Sequence, residues 1–158
     1  MAEATGEMHS IALTLVVSDL QKSTRFYCEG LGFSEGETLE RGDEAAATLE
    51  LASCKFSMRF LARADTRLML IKFHEPAASG DGSRKPSTSL GPLLISFTCP
   101  DPRSVAAKLV GLGGELVRDG ASANGKSALC VVTDPDGFRV EINSVPINNI
   151  LELFKLGG

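Results

Sequence analysis

The chain has 158 residues, 43% of them hydrophobic and 23% charged, and a formal net charge of −4 at pH 7. That length buries roughly 70% of the unfolded surface, enough for one domain or two small modules without covalent staples. The acidic balance, with no basic stripe, excludes a nucleic-acid partner, and apolar runs far shorter than ~20 residues exclude a membrane-spanning helix.

Residues 1–8 show no hydrophobic period and read as a loose terminus. A strand follows over Ile11–Val17, with Ile11, Leu13, Leu15 and Val17 on one face and Ala12, Thr14 and Val16 on the other. Ser18 and Gln21 have capping-box spacing, which starts a helix over Leu20–Glu29 that buries Phe26 and Tyr27 and stops at Gly30 and Gly32. Strands are expected over Phe33–Glu40, Ala46–Ala52, Ser57–Leu61 and Thr66–Phe73, one more than three, so Ala46–Leu61 reads either as a hairpin or as one bent ribbon. These elements make a first module over residues 9–74.

Residues 75–91 are rich in Pro, Gly, Ser and charge without an apolar face, and so form a linker. A second module over 92–145 opens with a strand at Leu93–Cys99. Asp101 then caps a helix that carries Pro102 in its first turn and a stripe of Val105, Ala106, Leu109, Val110 and Leu112, ended by Gly113-Gly114. Strands follow near Glu115–Arg118, Ala128–Thr133 and Phe138–Asn143, the last two joined by the turn Asp134-Pro135-Asp136-Gly137. Within 146–158, Ile147, Ile150, Leu151 and Phe154 have the spacing of a short amphipathic helix, with Asn148 or Asn149 available as its cap. The four cysteines, Cys28, Cys54, Cys99 and Cys130, form no Cys-x-x-Cys pair and read as reduced thiols. No basic and apolar leader opens the sequence, so a cytoplasmic protein is expected.

The order of elements repeats. An offset of 82 residues places Ala12 on Leu94, Asp19 on Asp101 and Gly32 on Gly114. The fold class is therefore α+β, with two tandem βαβββ modules forming a curled mixed sheet around a cleft, plus a short C-terminal helix.

Three stretches carry a resemblance. Leu15-Val16-Val17-Ser18-Asp19-Leu20, followed by Ser23, Phe26-Tyr27 and Leu31-Gly32-Phe33, is similar to the opening module of the vicinal oxygen chelate superfamily, which groups glyoxalase, bleomycin-resistance and extradiol-dioxygenase proteins. Thr66 through Phe73 resembles the strand that closes its first module, and Asp134-Pro135-Asp136-Gly137 through Glu141 resembles the end of its second. The resemblance spans about residues 9–144 and implies a glyoxalase-like fold, commonly as a homodimer.

In metal-dependent members one position on the first strand and one on the last strand of each module bind the ion. Carried over, these positions are Ala12, Met69, Leu94 and Glu141. Only Glu141 is a ligand type for a hard divalent cation, so no metal or other cofactor is expected. His9 and His74 lie at odd shifts from Ala12 and Met69, on the opposite strand faces.

Alternation assigns Ala12, Thr14, Val16, Met69, Ile71, Leu94, Ser96, Thr98, Arg139, Glu141 and Asn143 to the cleft side. An apolar pocket with few polar points suits a medium-sized organic molecule. Three roles stay open for Glu141: general acid or base, structural ion pair with Arg139 or Arg59, and polar contact to a ligand. The function readings are a metal-free binding protein similar to the bleomycin-resistance branch, a metal-independent lyase or isomerase working through Glu141, and a metal-dependent lactoylglutathione lyase or dioxygenase with atypical ligands from His9, His74 and Glu141.

Overall fold

The computed structural model describes Gly6 and residues 8–155, so all but Gly6 and Met8 of the expected loose terminus lies outside the described residues. The described chain divides into two compact units. The first comprises Met1–Leu20 and Phe33–Ala78, the second Gln21–Gly32 and Ser79–Gly158.

The first unit is a four-stranded mixed sheet built from β1 (Leu13–Val16), β2 (Ser34–Arg41), β3 (Lys55–Arg63) and β4 (Thr66–Glu75) in the order β1-β4-β3-β2. β1 runs parallel to β4, and the other pairs are antiparallel. The period of two separates the faces: Leu61, Leu68 and Leu70 are buried on one, while Thr14, Met69 and Phe60 share a level on the other.

The strand expected over Ala46–Ala52 does not form. Two 3-10 turns, Asp43–Ala45 and Ala47–Leu49, stand in its place, and Lys55–Arg63 is one strand. The cause is local. The Asp43 carboxylate accepts from the Cys54 amide at 2.9 Å, the Glu44 carboxylate accepts from the Gly42 amide at 3.0 Å, and three successive alanines offer no β-branched side chain to favour extension. Ala45, Ala46, Leu49 and Leu51 then pack on Phe56, Met58, Ile71 and Phe73, capping one end of the face that carries Met69. Burying a side chain the size of Ile or Phe is worth roughly 1.5–3 kcal/mol, which offsets the lost strand pairing.

The second unit pairs β5 (Leu94–Thr98), β6 (Glu115–Ala121), β7 (Ala128–Thr133) and β8 (Arg139–Asn143) in the order β5-β8-β7-β6, with β5 parallel to β8 and the rest antiparallel. Its core is Val132, Val140, Ile142 and Cys130 from the sheet with Ala106 and Leu109 from α2 (Pro102–Gly111). As expected, Asp101 caps α2, its side chain accepting from the Ser104 amide at 3.2 Å, with Pro102 next in line. Most of α1 (Leu20–Arg25), which runs on as a π-helical turn over Phe26–Gly30, belongs to this unit. A side chain at Gly30 would meet Leu109 Cδ2 at 2.3 Å, so a bare backbone is what lets this turn approach α2.

Phe26 and Tyr27 are fully buried and meet edge to face at 5.2 Å. α3 (Ile147–Leu153) forms, but Pro146 sits at its N-cap without a side-chain bond, in place of the expected Asn148 or Asn149. Ile147, Leu153 and Phe154 are exposed. All four cysteines are free, Cys54 and Cys130 buried and the other two half-buried. No described helix is long and apolar enough to cross a membrane.

Candidate functional site

Parallel pairing of β5 and β8 sets Leu94 against Arg139, Ser96 against Glu141 and Thr98 against Asn143. On the other side of β8, Val131 lies against Glu141 and Leu129 against Asn143. Directly paired residues share a face, so the sequence-assigned residues of the second unit form one patch. At its centre Glu141 Oε1 accepts from Ser96 Oγ at 3.2 Å and from Asn143 Nδ2 at 3.3 Å. Asn143 is itself fixed, since its Oδ1 accepts from the Val145 amide at 3.0 Å, and Thr98 Oγ1 donates to the Val145 carbonyl. Glu141 Oε2 takes no hydrogen bond among the described residues. Leu94, Leu129 and Val131 supply the apolar surround, all half-buried.

The ion pair considered for Glu141 is absent. Arg59 is committed in the first unit, 3.2 Å from Glu35 and donating to Thr38 Oγ1 at 2.8 Å. Arg139 Nη2 donates to the Lys85 carbonyl at 2.5 Å. Alternation gives the face of a side chain but not the reach of a long one, so the sequence could name these arginines without saying what they hold.

In the first unit Thr14 pairs with Met69 and Val16 with Ile71. Thr14 and Val16 are exposed and Met69 is half-buried, whereas Ile71 is only 6% exposed, under the 43–51 turns. Ile71 is thus core filling. Ala12 lines a pocket of about 490 Å³ together with the rest of Ser10–Leu13 and with Ala62–Arg67.

The residues present do not fit a divalent cation. Of the four carried-over positions only Glu141 bears a carboxylate, its neighbours Ser96 and Asn143 are neutral, and no described group of three or more His, Cys, Asp and Glu side chains converges. His74 cannot join Met69, because it points from the opposite face of β4. There its Nε2 lies 2.8 Å from Ser57 Oγ, which also donates to Glu40 at 2.8 Å. His9 is exposed ahead of β1.

One group that the sequence offered only as a turn residue is the one buried charged side chain among the described residues. Asp134 is 3% exposed; its Oδ1 accepts from the amides of Asp136 and Phe138, both at 2.9 Å, and its Oδ2 from the Tyr27 hydroxyl at 2.7 Å. Gly137 completes this turn at φ +88, and an added Cβ there would stand 2.6 Å from the Gly82 carbonyl oxygen. The Asp-Pro-Asp-Gly turn therefore fixes the start of β8, the strand that carries Glu141.

A family model described as Glyoxalase/Bleomycin resistance protein/Dioxygenase superfamily matches residues 8–142. No curated protein sequence matches the chain. Among solved structures, a glyoxalase family protein from Bacillus cereus is similar with a TM-score of 0.78 at 22% identity, over 90% of this chain and 98% of that one. A trypanothione-dependent glyoxalase I from Leishmania major is similar with a TM-score of 0.63 at 19% identity, over 94% of each chain. A glyoxalase-related enzyme from Fulvimarina pelagi gives 0.56 at 22% identity, over 89% of this chain and 91% of that one. At these identities the likeness is one of fold.

Proposed function

The chain belongs to the glyoxalase, bleomycin resistance protein and dioxygenase superfamily, and from that premise we propose that it binds a medium-sized organic molecule on its sheet faces without a catalytic metal. One observation carries the reading. Of the four family ligand positions only Glu141 bears a carboxylate, and it is held by two neutral donors within an apolar surround. Such a face fixes a ligand by shape and a few hydrogen bonds, with Leu94, Ser96, Thr98, Arg139 and Asn143 as contacts on the second unit, while Thr14 and Met69 belong to the first unit's own face. Ile71 is left out, since its own unit covers it.

A second reading has its own support. Both donors to Glu141 converge on Oε1, which leaves Oε2 for proton exchange with a substrate at hydrogen-bond distance, the requirement for a general acid or base in a lyase or isomerase. Glu141→Gln separates the two. Fragments found by ligand-observed NMR should bind the variant within about threefold of wild type if the face only binds, because shape and apolar area are unchanged. Turnover of an identified substrate should fall ~100-fold or more if Glu141 moves a proton. Unchanged turnover would remove the enzymatic reading, and the absence of any bound fragment would remove the first.

The chain is further proposed to act as a homodimer in the cytoplasm. Light scattering well above micromolar concentration should give twice the 16.7 kDa chain mass, and a monomer there would overturn the dimer.

A further inference from the structure

We propose that the pocket at the end of the first unit's sheet is an anion-recognition site, where Arg67 holds the carboxylate or phosphate of a small organic acid with an apolar body. This deepens the binding reading above by giving the ligand a charge, and it rests on that reading.

The pocket's volume, about 490 Å³, is in the range that takes a small molecule. Its charged lining is Arg63, Asp65 and Arg67. Arg63 Nε lies 3.1 Å from Asp65 Oδ1 and its guanidinium stands 5.9 Å from the centre of the Phe33 ring, so those two charges offset one another. Arg67 has no carboxylate within ion-pair distance among the described residues. Its Nη2 donates to the Ser10 carbonyl at 2.5 Å, which steadies the guanidinium while using one of its five N–H donors. What remains is a pre-oriented, uncompensated planar fork, the group best matched to two oxygens of a carboxylate or phosphate. Around it part of the wall is apolar. Ile11 is 70% and Leu13 37% exposed, Ala12, Ala62 and Ala64 add apolar surface, and Ser10 and Thr66 are the neutral polar residues of the lining. A chain with net charge −4 that leaves large aliphatic side chains and a free guanidinium at one opening presents the complement of an amphiphilic acid.

The second unit supports this independently, because it repeats the device. Arg139 stands two residues before Glu141 as Arg67 stands two before Met69, and it pairs with Leu94 as Arg67, one step beyond the Leu13–Leu68 pair, stands level with Ala12. It too gives Nη2 to a main-chain carbonyl, and no described carboxylate lies within ion-pair distance. In each unit, then, the strand that ends the module sets a tethered arginine beside the first-strand family position, where this chain has an aliphatic residue.

Isothermal titration with 4-phenylbutyrate, phenyl phosphate and the neutral 4-phenylbutan-1-ol, followed by amide chemical shifts, tests the site on the full chain. Both acids should shift Ala12, Ala62, Ala64 and Thr66, and at least one should bind ~10-fold or more tightly than the alcohol, the scale of a charged hydrogen-bonded contact. The stronger acid identifies carboxylate or phosphate as the preferred head, and inorganic phosphate alone, without the apolar body, should bind more weakly than either. Arg67→Gln should remove the preference for acid over alcohol, and Arg67→Lys should restore part of it. Because Arg67 is exposed, both variants should melt with wild type, and they are compared only at temperatures where amide spectra show them folded. Equal affinity of acids and alcohol, or acid binding at these residues unchanged in Arg67→Gln, overturns the proposal. If fragments still bind around Glu141 while this occurs, the binding function stands and only the anion site falls. If nothing binds anywhere on the chain, both fall.

Discussion

The two units share a strand order, a parallel first pair and an arginine tethered beside the first strand, yet they treat the same face differently. In the second unit that face is left with a hydrogen-bonded carboxylate at its centre, and the turn that leads into its strand is held by the buried Tyr27–Asp134 bond. In the first unit Met69 replaces the carboxylate, and the 43–51 turns fold over part of the face as a private hydrophobic cluster. The polar trio of the first unit, Ser57, His74 and Glu40, lies on the opposite face. Duplication thus repeats the scaffold while side chains redistribute polarity. The second unit keeps a carboxylate at the centre of its face, whereas the first has Met69 there and turns packed over part of the sheet.

The strongest way to break this contrast is to remove what holds the cap of the first unit down. Phe56 is 2% exposed, meets Phe73 in a tilted ring pair at 5.4 Å and contacts the turn residues through the same cluster. Phe56→Ala should cost about 3–5 kcal/mol in urea unfolding, from lost transfer energy and a residual cavity. Amide exchange over residues 44–51 should speed up by at least ~10-fold through local opening, while Cys130–Thr133 of the second unit keeps its protection relative to global unfolding. Unchanged exchange in the turns would mean that their own backbone bonds, and not the packing on Phe56, hold the cap.

This cap is also where the sequence misleads. The strands and the two longer helices are legible because period two and period 3.6 are strong in Leu13–Val16, Thr66–Phe73 and Val105–Leu112, and because Asp101-Pro102 and Asp134-Pro135-Asp136-Gly137 carry their own turn chemistry. Alternation alone put Ser96, Glu141 and Asn143 on one side, where the register of β5 and β8 pairs them. Residues 43–54 defeat that logic, since Asp43 and Glu44 satisfy neighbouring amides with side chains and so replace a ladder that a pattern of apolar residues alone would suggest. The partners of Arg59 and Arg139 are decided by long flexible stems meeting groups brought near by the fold. The Tyr27–Asp134 bond joins residues 107 apart, a separation at which no local pattern operates.

That bond gives the smaller and more discriminating test of the contrast, because the first unit buries no charged side chain among its described residues. Tyr27→Phe strips the donor from a buried carboxylate oxygen and should cost ~1–3 kcal/mol, and Asp134→Ala, which also abandons the amides of Asp136 and Phe138, should cost more. The pH dependence separates the partners. Burial, and then the charge of Asp134 and the bond to it, raise the Tyr27 phenol well above its usual value. The unfolded chain therefore loses that proton first, so the contribution is complete below the unfolded pKa of ~10 and falls as pH rises through the folded one. Thermal melts of wild type should drop between pH 9.5 and 11.5 more steeply than those of Tyr27→Phe, in a window set by the ~10 of the free phenol. Asp134 is raised too, by burial that its three hydrogen bonds reduce without cancelling. Its contribution is present below ~3.9 and is lost as pH rises through the folded value. Asp134→Asn keeps an oxygen for the two amides and carries no charge. It should therefore be milder than Asp134→Ala at pH 7, and milder at pH 7 than at pH 4, as read by urea midpoints at the two values, near and above the ~3.9 of the free carboxyl. If the asparagine variant is as damaging as the alanine one at pH 7, the charge itself holds the turn, and burial is not the dominant influence on Asp134.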